Sequence, residues 1–491
     1  MTEATVTAAP IAATMYLPTR RGRMMQHRNS SWTVLRTLLM ATAAGLCCAT
    51  GVAMGRSKTT PSSDELTPAQ WRTQQLAAAD KSDAIMRDAQ KQPGLLAQYL
   101  RMQLAYDSNR QRAFQLIFGQ YLSWYQTYIG DYNGARSSFS IAQPAQDNDA
   151  PSPSNGGYQL RPAADVILEM AKGRQAVFFN EAHSAPVTRT LTIQLLAKLR
   201  EEGFNYFAAE TLYVADKDLN KRGYAIAETG FYTNEPLYAE MVRTALRLGY
   251  TVVAYDAENA GVGDPREKDG AENLYNQIFK KDPKARLIVN AGFAHVQKSG
   301  KYLGGSSMGE FFHKVSGIDP LTIEQTMMIQ HAKPDQDHPY YLAITQGQRL
   351  GVPSVFVSGN KAWTLKPGEY DMSVFFPPQE TASSERPQWL ALGGLRTAYS
   401  VAGEVCNTHF PCLVEARYAN EGMDGIPADR VVLNVVAQGA SVENRIVSFH
   451  GTVTERMYLR PGKYHLTATD AQGHVVTSSD LDTTVGTPAK P

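Results

Sequence analysis

The chain reads as an α/β protein, with a parallel-sheet core flanked by an N-terminal helical region and a C-terminal β-rich region that contains a small β-sandwich-like module. Three observations predict this. Four short apolar runs, at 174–179, 205–209, 250–255 and 286–289, are separated by helix-length amphipathic stretches, the alternation of βαβ units. Ahead of them, apolar residues recur at helical spacing. Beyond residue 350 helical periodicity stops, and short β-branched and aromatic runs bounded by Pro-Gly turns replace it.

Residues 1–56 read as an export signal. Arg20, Arg21, Arg23 and Arg28 precede an apolar stretch of ~18 residues, Thr37 to Met54, with small residues near its end. Cleavage after that stretch places the mature chain in the periplasm or outside the cell. The alternative is an uncleaved anchor, which would tie the N-terminus to a membrane, but ~18 residues is the lower limit for spanning. A polar Ser/Thr/Pro linker occupies 57–66. The helical region, 67–142, begins with Thr67-Pro68, a capping hydroxyl followed by proline at the first helical position. Further helices are expected at 95–106 and 110–128. Gly130 to Phe139 has the small-aromatic register of one tetratricopeptide half-repeat, without a second copy. Residues 143–157, rich in Pro, Asp, Asn, Ser and Gly, read as a linker or mobile loop.

The α/β domain spans 158–350. Its helices are expected at 186–202, 235–248, 269–280 and 308–315, with Gly203 and Gly249 as stops, and a fifth strand at 321–329. A β-rich extension covers 351–424. The sandwich-like module covers 425–486, with strands at 430–436, 445–449 and 463–469. Cys47 and Cys48 fall in the signal. Cys406 and Cys412 are expected to form a disulfide in an exported chain; with His409 between them, a metal site is the alternative, although structural zinc normally takes four ligands.

With 48 basic and 47 acidic residues interspersed, the formal charge is +1, and no electrostatic track for nucleic acid is expected. P-loop, zinc-finger and dinucleotide-binding spacings are absent. The chemistry lies at the strand ends. The first run leads into Asn180-Glu181-Ala182-His183, the second into Glu210, the third into Asp256, the fourth into Asn290-Ala-Gly-Phe-Ala-His295. Parallel strands end along one edge, where ligands bind, so these groups should converge. The blander account is that strand ends are solvated and therefore polar.

Asn180-Glu181-Ala182-His183 resembles the Gly-Glu-x-His motif of the erythromycin esterase and ChaN-like haem-binding superfamily, to which the TIKI proteases are distantly related. Glu210, the Arg266 to Asn273 segment and Gly292-Phe-Ala-His295 follow in that superfamily's order, so the resemblance covers residues 165–330. Asn180 stands where the family usually carries glycine, and a side chain there should narrow the approach to the loop. The residues support a water-attacking hydrolase with no cofactor required, and the resemblance implies an ester or related acyl bond in a small molecule or envelope component as its target. His183 is the general base, Glu181 orients it, and Glu210 and His295 position water or stabilise charge. Arg266, Arg189 and Asp256 are the candidates for holding the substrate's polar end. Ser184 lacks a nucleophile-elbow context. Two alternatives stay open at the same atoms: a divalent metal on His183, Glu210 and His295, or, as the ChaN-like branch implies, haem with His183, His295, Tyr213 or Tyr255 as axial ligand. A third is a non-catalytic envelope interaction protein.

Overall fold

The structure is a computed structural model that describes residues 66–256, 263–379, 386–434 and 454–484. The export segment, nearly all of the first linker and the strand expected at 445–449 lie outside these residues. The described chain runs from helices through an α/β core to a β-rich region.

The helical region comprises α1 (Pro68–Ala89), α2 (Leu95–Asp107), α3 (Arg112–Tyr128) and α4 (Tyr132–Ser138). Thr67 starts α1 through a reciprocal capping box with Gln70. Helix α3 is buried on almost every side, because apolar and aromatic residues circle it from Phe114 to Tyr128. On one flank Tyr121 donates to Asp83 of α1 at 2.6 Å. On the other, Trp124 packs edge-on against Phe231 and Tyr128 donates to the Phe231 carbonyl. The helices are thus a wall of the core. Residues 143–157 pack against the core. Apart from one 3-10 turn at Pro153–Asn155 they lack regular structure, and neighbours take up their polar groups: Gln143 N donates to Gln336 O, Ala150 N to Leu365 O, and Trp363 Nε1 to Pro151 O.

The core follows as β1 (Gln159–Pro162), α5 (Ala163–Ala171), β2 (Ala176–Glu181), α6 (Val187–Glu201), β3 (Tyr206–Ala209), α7 (Leu219–Arg222), α8 (Pro236–Arg247), β4 (Thr251–Val253), α9 (Asp264–Leu274), β5 (Leu287–Gly292), α10 (Met308–Ser316), β6 (Leu321–Glu324), α11 (Pro339–Gly347), β7 (Ser354–Ser358), β8 (Lys361–Ala362) and β9 (Met372–Ser373). Six parallel strands lie in the order β4-β3-β5-β2-β6-β9. Strands β2 and β5 are buried at every position, which is why their runs are apolar rather than alternating. Helices α6 and α8 cover one face of the sheet, and α9 and α10 the other. The chain leaves β2 through α6 toward β3, and leaves β5 through α10 toward β6, in opposite directions. Adjacent β2 and β5, with Glu181 opposite Gly292, therefore form the topological switch point.

Three expected boundaries move. Helix α9 starts at Asp264, because Gly263 turns the chain at φ +78° and Pro265 begins a helix well. Strand β6 stops at Glu324, whose carboxylate folds back to accept from the Thr326 and Met327 backbone. The core extends past residue 350: β7 pairs with β1, and β9 completes the parallel sheet.

In the β-rich region, β11 (Cys412–Tyr418), β12 (Asp429–Leu433), β14 (Lys463–Thr469) and β15 (Val475–Asp482) form an antiparallel sheet. It shares a core containing Val401, Val414, Met457, Leu459 and Tyr464 with the ribbon of β10 (Thr397–Ala402) and β13 (Thr454–Leu459). A module starting at 425 would divide the β11–β12 hairpin, so the unit begins near β10. It braces α8 through buried Glu240. Burial alone would raise this carboxyl, but Arg396, Arg243, Arg460 and Arg247 hold it well below the usual range.

Cys406 and Cys412 form a disulfide, with Cα atoms 5.8 Å apart, so they are not metal ligands. The bond fits an oxidising, extracytoplasmic compartment. No helix among the described residues is long and apolar enough to cross a membrane. Replacing both cysteines by serine should cost about 2 kcal/mol in urea unfolding, the loop-closure value for so short a loop. Two thiols reacting in the denatured, non-reduced wild type would contradict the pairing.

Candidate active site

The strand ends bring Glu181, His183, Glu210, Asp256 and His295 together at the switch point. Glu181, the last residue of β2, is saturated. Its carboxylate accepts from Arg189 Nε and Nη2, each at 2.8 Å, from Asn290 Nδ2 at 2.7 Å, and from His183 Nδ1 at 2.9 Å. The His183 ring stacks on Tyr232 at 4.0 Å and meets Phe293 edge-on. Its Nε2 points toward Glu210 Oε2, 3.8 Å away and too far for a direct hydrogen bond. Gly292 is required here by close approach: a Cβ would stand 2.3 Å from the His183 ring and 2.9 Å from Glu210.

A second carboxylate–imidazole pair faces the first. His295 Nδ1 lies 2.6 Å from Glu267 Oε2, and its Nε2 lies 3.1 Å from Tyr302 Oη and 3.4 Å from Glu210 Oε1. Glu210 sits between the two rings. It accepts from the Gly292 backbone at 2.6 Å and from Arg266 Nη2 at 2.9 Å, while Asp256 accepts from Arg266 Nε and Nη2 and the Nη1 of Arg266 lies 3.0 Å from His295 Nε2. Just after Glu210 and Gly292 the backbone enters the left-handed region, at Thr211 (φ +59°) and Phe293 (φ +44°). Such strain in a β-branched and an aromatic residue persists only where the surroundings enforce it, and functional sites are where it concentrates.

Electrostatics follow from this packing. Burial raises Glu181, but Arg189 and His183 outweigh it and bring the carboxyl down from 4.5 to about 2. Burial also opposes ionisation of Glu210, yet His295, His183 and Arg266 hold it well below the carboxylate range. Burial lowers His295, but Glu267 and Glu210 raise it from 6.5 to about 9. The raised imidazole contributes stability fully below pH 6.5 and loses it as pH climbs through about 9. The depressed Glu181 contributes fully above pH 4.5 and loses it as pH falls toward 2. Melting temperature should therefore decline on both sides of that window. Replacing His295 by asparagine should shrink the alkaline decline, and an unaltered alkaline limb would show that His295 is not its source.

Several assigned roles change. Arg189 and Arg266 are not placed to hold substrate. Both are buried, and their forks are spent on carboxylates: Arg189 on Glu181 and Glu235, Arg266 on Asp256 and Glu210. Asp256 is likewise turned inward, onto Arg266 and Thr211 N. Asn180 does not narrow the loop; its side chain reaches sideways, accepting from Gln325 N at 2.6 Å and tying β2 to the end of β6. Ser184 borders the site, but the His183 nitrogens face Glu181 and Glu210 instead. A divalent metal does not fit between His183, Glu210 and His295, because the Arg266 cation already stands there, 3.0 Å from His295 Nε2. Of the axial candidates for haem, both imidazoles pack against carboxylates and aromatic rings and Tyr255 is buried in the core beneath, whereas Tyr213 is only half-buried.

The sequence reading passed over Glu235, Glu267, Tyr232 and Glu324. Glu235 caps α8 and holds Arg189 at 2.8 Å; it also accepts from Tyr132 of the helical region. Glu324 ends β6 as a buried carboxyl that burial raises. Applying the strand-end rule to Leu321-Thr-Ile-Glu324 would have found it.

A cleft opens beside this cluster. It is lined by Ala182 and Ser184, the chain neighbours of His183, by Ala185 and Phe293, and by Arg136, Ser140, Thr326 and His331.

No family model matches the chain, and no curated protein matches it. Solved structures align with it weakly. The type III effector HopBA1 is 14% identical over 37% of this chain and 96% of its own, with a TM-score of 0.26. RRSP, a MARTX toxin effector domain from Vibrio vulnificus CMCP6, is 14% identical over 47% of this chain and 40% of its own, with a TM-score of 0.21. A structure described as bacterial protein toxins is 12% identical over 63% and 69%, with a TM-score of 0.28. Nothing about function follows from likeness at this level.

Proposed function

We propose that the chain is an exported hydrolase that cleaves an ester or related acyl bond in a small molecule or cell-envelope component. The observation that carries this reading is the Glu181–His183 pair at the switch point. An ionised Glu181 accepts the Nδ1 proton, so the lone pair of His183 is on Nε2, the nitrogen directed into the site. There it takes a proton from water as the water oxygen attacks the acyl carbon. The resulting imidazolium lies between Glu181 and Glu210, both ionised, and passes its proton to the leaving oxygen as the acyl–oxygen bond breaks. Arg189 and Arg266 keep the two carboxylates ionised.

The N-terminal signal supports export, with mature protein beginning near residues 50–56; retention as an anchor is the other outcome of N-terminal sequencing. The resemblance to the esterase branch, carried by Glu181, His183, Glu210 and His295, points to the same reaction class. The test is a panel of aryl esters, lactones and envelope lipids offered to the wild type and to His183→Ala. Hydrolysis that depends on His183 supports the reading. A wild type that turns over none of them, or a variant that retains full activity, defeats it.

A further inference from the structure

With Arg189 and Arg266 turned inward, the site as first read has no cation to receive a charged substrate group. The cleft supplies one from an unexpected region. Arg136 lies on α4, in the helical wall, and is half-buried in the cleft lining. Its hydrogen bond is to a neutral acceptor, Gln330 Oε1, at 3.3 Å. No carboxylate of the described residues is within ion-pair distance of it, in contrast to every buried arginine around Glu181 and Glu210. Asp337 is the nearby acid, and it is engaged elsewhere, accepting from His331 N at 2.5 Å and facing His331 Nδ1 at 2.9 Å. Ser140, in the same lining, has a buried hydroxyl without a partner among the described residues. Among the described residues the lining therefore presents a guanidinium fork with donors to spare and an unused hydroxyl, in the same cleft as Ala182 and Ser184, the chain neighbours of His183. Even half-burial of a cation without a counter-charge carries a desolvation cost. One that is matched only when ligand arrives is a device for specificity.

We propose that this cleft is the subsite for an anionic oxygen group of the substrate, a carboxylate or phosphate, gripped by Arg136 and Ser140 and held away from the scissile acyl bond. The inference rests on the hydrolase reading for the reaction, but its binding component can be tested alone. The kinetic test uses two esters of equal chain length and leaving group: the 4-nitrophenyl monoester of glutaric acid and the 4-nitrophenyl ester of pentanoic acid. The wild type should favour the anionic ester in kcat/KM by about 10- to 100-fold, the value of a charged hydrogen bond. Arg136→Gln should collapse that ratio toward one, and Arg136→Lys, which keeps the charge and loses the fork, should leave an intermediate ratio. No preference in the wild type, or an equal loss on both esters, overturns the proposal.

The binding arm uses glutarate and inorganic phosphate with thermal unfolding as readout. Either anion should raise the melting temperature of the wild type and not that of Arg136→Gln, and the stronger of the two identifies the group. Anion binding through Arg136 without ester turnover would leave the subsite standing and the hydrolase reading refuted. Absence of Arg136-dependent stabilisation by both anions overturns the subsite whatever the turnover.

Discussion

Arg266→Met should destabilise the protein by about 3–5 kcal/mol, the range for removing one partner from a buried ionic group. The guanidinium is 4% exposed and compensates three carboxylates: Asp256 at 2.7 Å, Glu210 at 2.9 Å and Glu267 at 3.9 Å. Methionine fills much of the volume but leaves those charges facing one another in a low-dielectric interior. The protein's escape is to protonate some of them, so the loss should be greater at pH 7 than at pH 5. Arg101, by contrast, pairs with Asp88 at a surface where both side chains are more than 40% exposed. Arg101→Met should change stability by no more than about 1 kcal/mol. Urea unfolding of the two variants provides the comparison. A cost below 1 kcal/mol at Arg266 would mean that the lattice around Glu210 does not depend on its cation.

That lattice also explains which parts of the site were legible in the sequence. The strand ends could be read because a parallel sheet imposes one rule on all of them: an apolar run on both faces, then a polar residue where the edge meets solvent or ligand. Glu181, Glu210, Asp256 and His295 obey that rule and meet. What a charge is for could not be read, because it depends on the partner. Arg189 and Arg266 look like substrate anchors until Glu235, 46 residues from Arg189, and Asp256 are seen to consume their forks. Glu267 was visible beside Arg266, but not its contact with His295, 28 residues on. Arg136 lies in the helical region, and nothing local ties it to Gln330, 194 residues away. The contacts of the 143–157 segment are hidden for the same reason. Pro and Asn say where regular structure ends, not whether tertiary contacts hold the chain.

His183→Ala should lower kcat by a factor of roughly 10²–10⁴, the contribution of a positioned general base, on any ester the wild type accepts, with a much smaller effect on KM. The substitution removes the only ring whose Nδ1 is held by Glu181 and whose Nε2 is directed into the gap before Glu210. Alanine leaves Glu181 with three of its four hydrogen bonds, two from the Arg189 fork and one from Asn290, so this carboxylate stays compensated. The main structural loss is the stack on Tyr232, which Trp124 and Tyr238 continue to pack. Folding should therefore suffer far less than in Arg266→Met, and a melting curve taken beside the kinetics separates chemistry from collapse. Glu181→Gln is the complementary variant. It keeps the shape but removes the charge that selects the Nδ1–H tautomer, and it leaves Arg189 facing a neutral amide. It should lose both turnover and stability, whereas His183→Ala should lose turnover nearly alone. If His183→Ala falls in stability as far as Glu181→Gln while retaining its turnover, His183 is a packing residue and the base must be sought elsewhere on the strand edge.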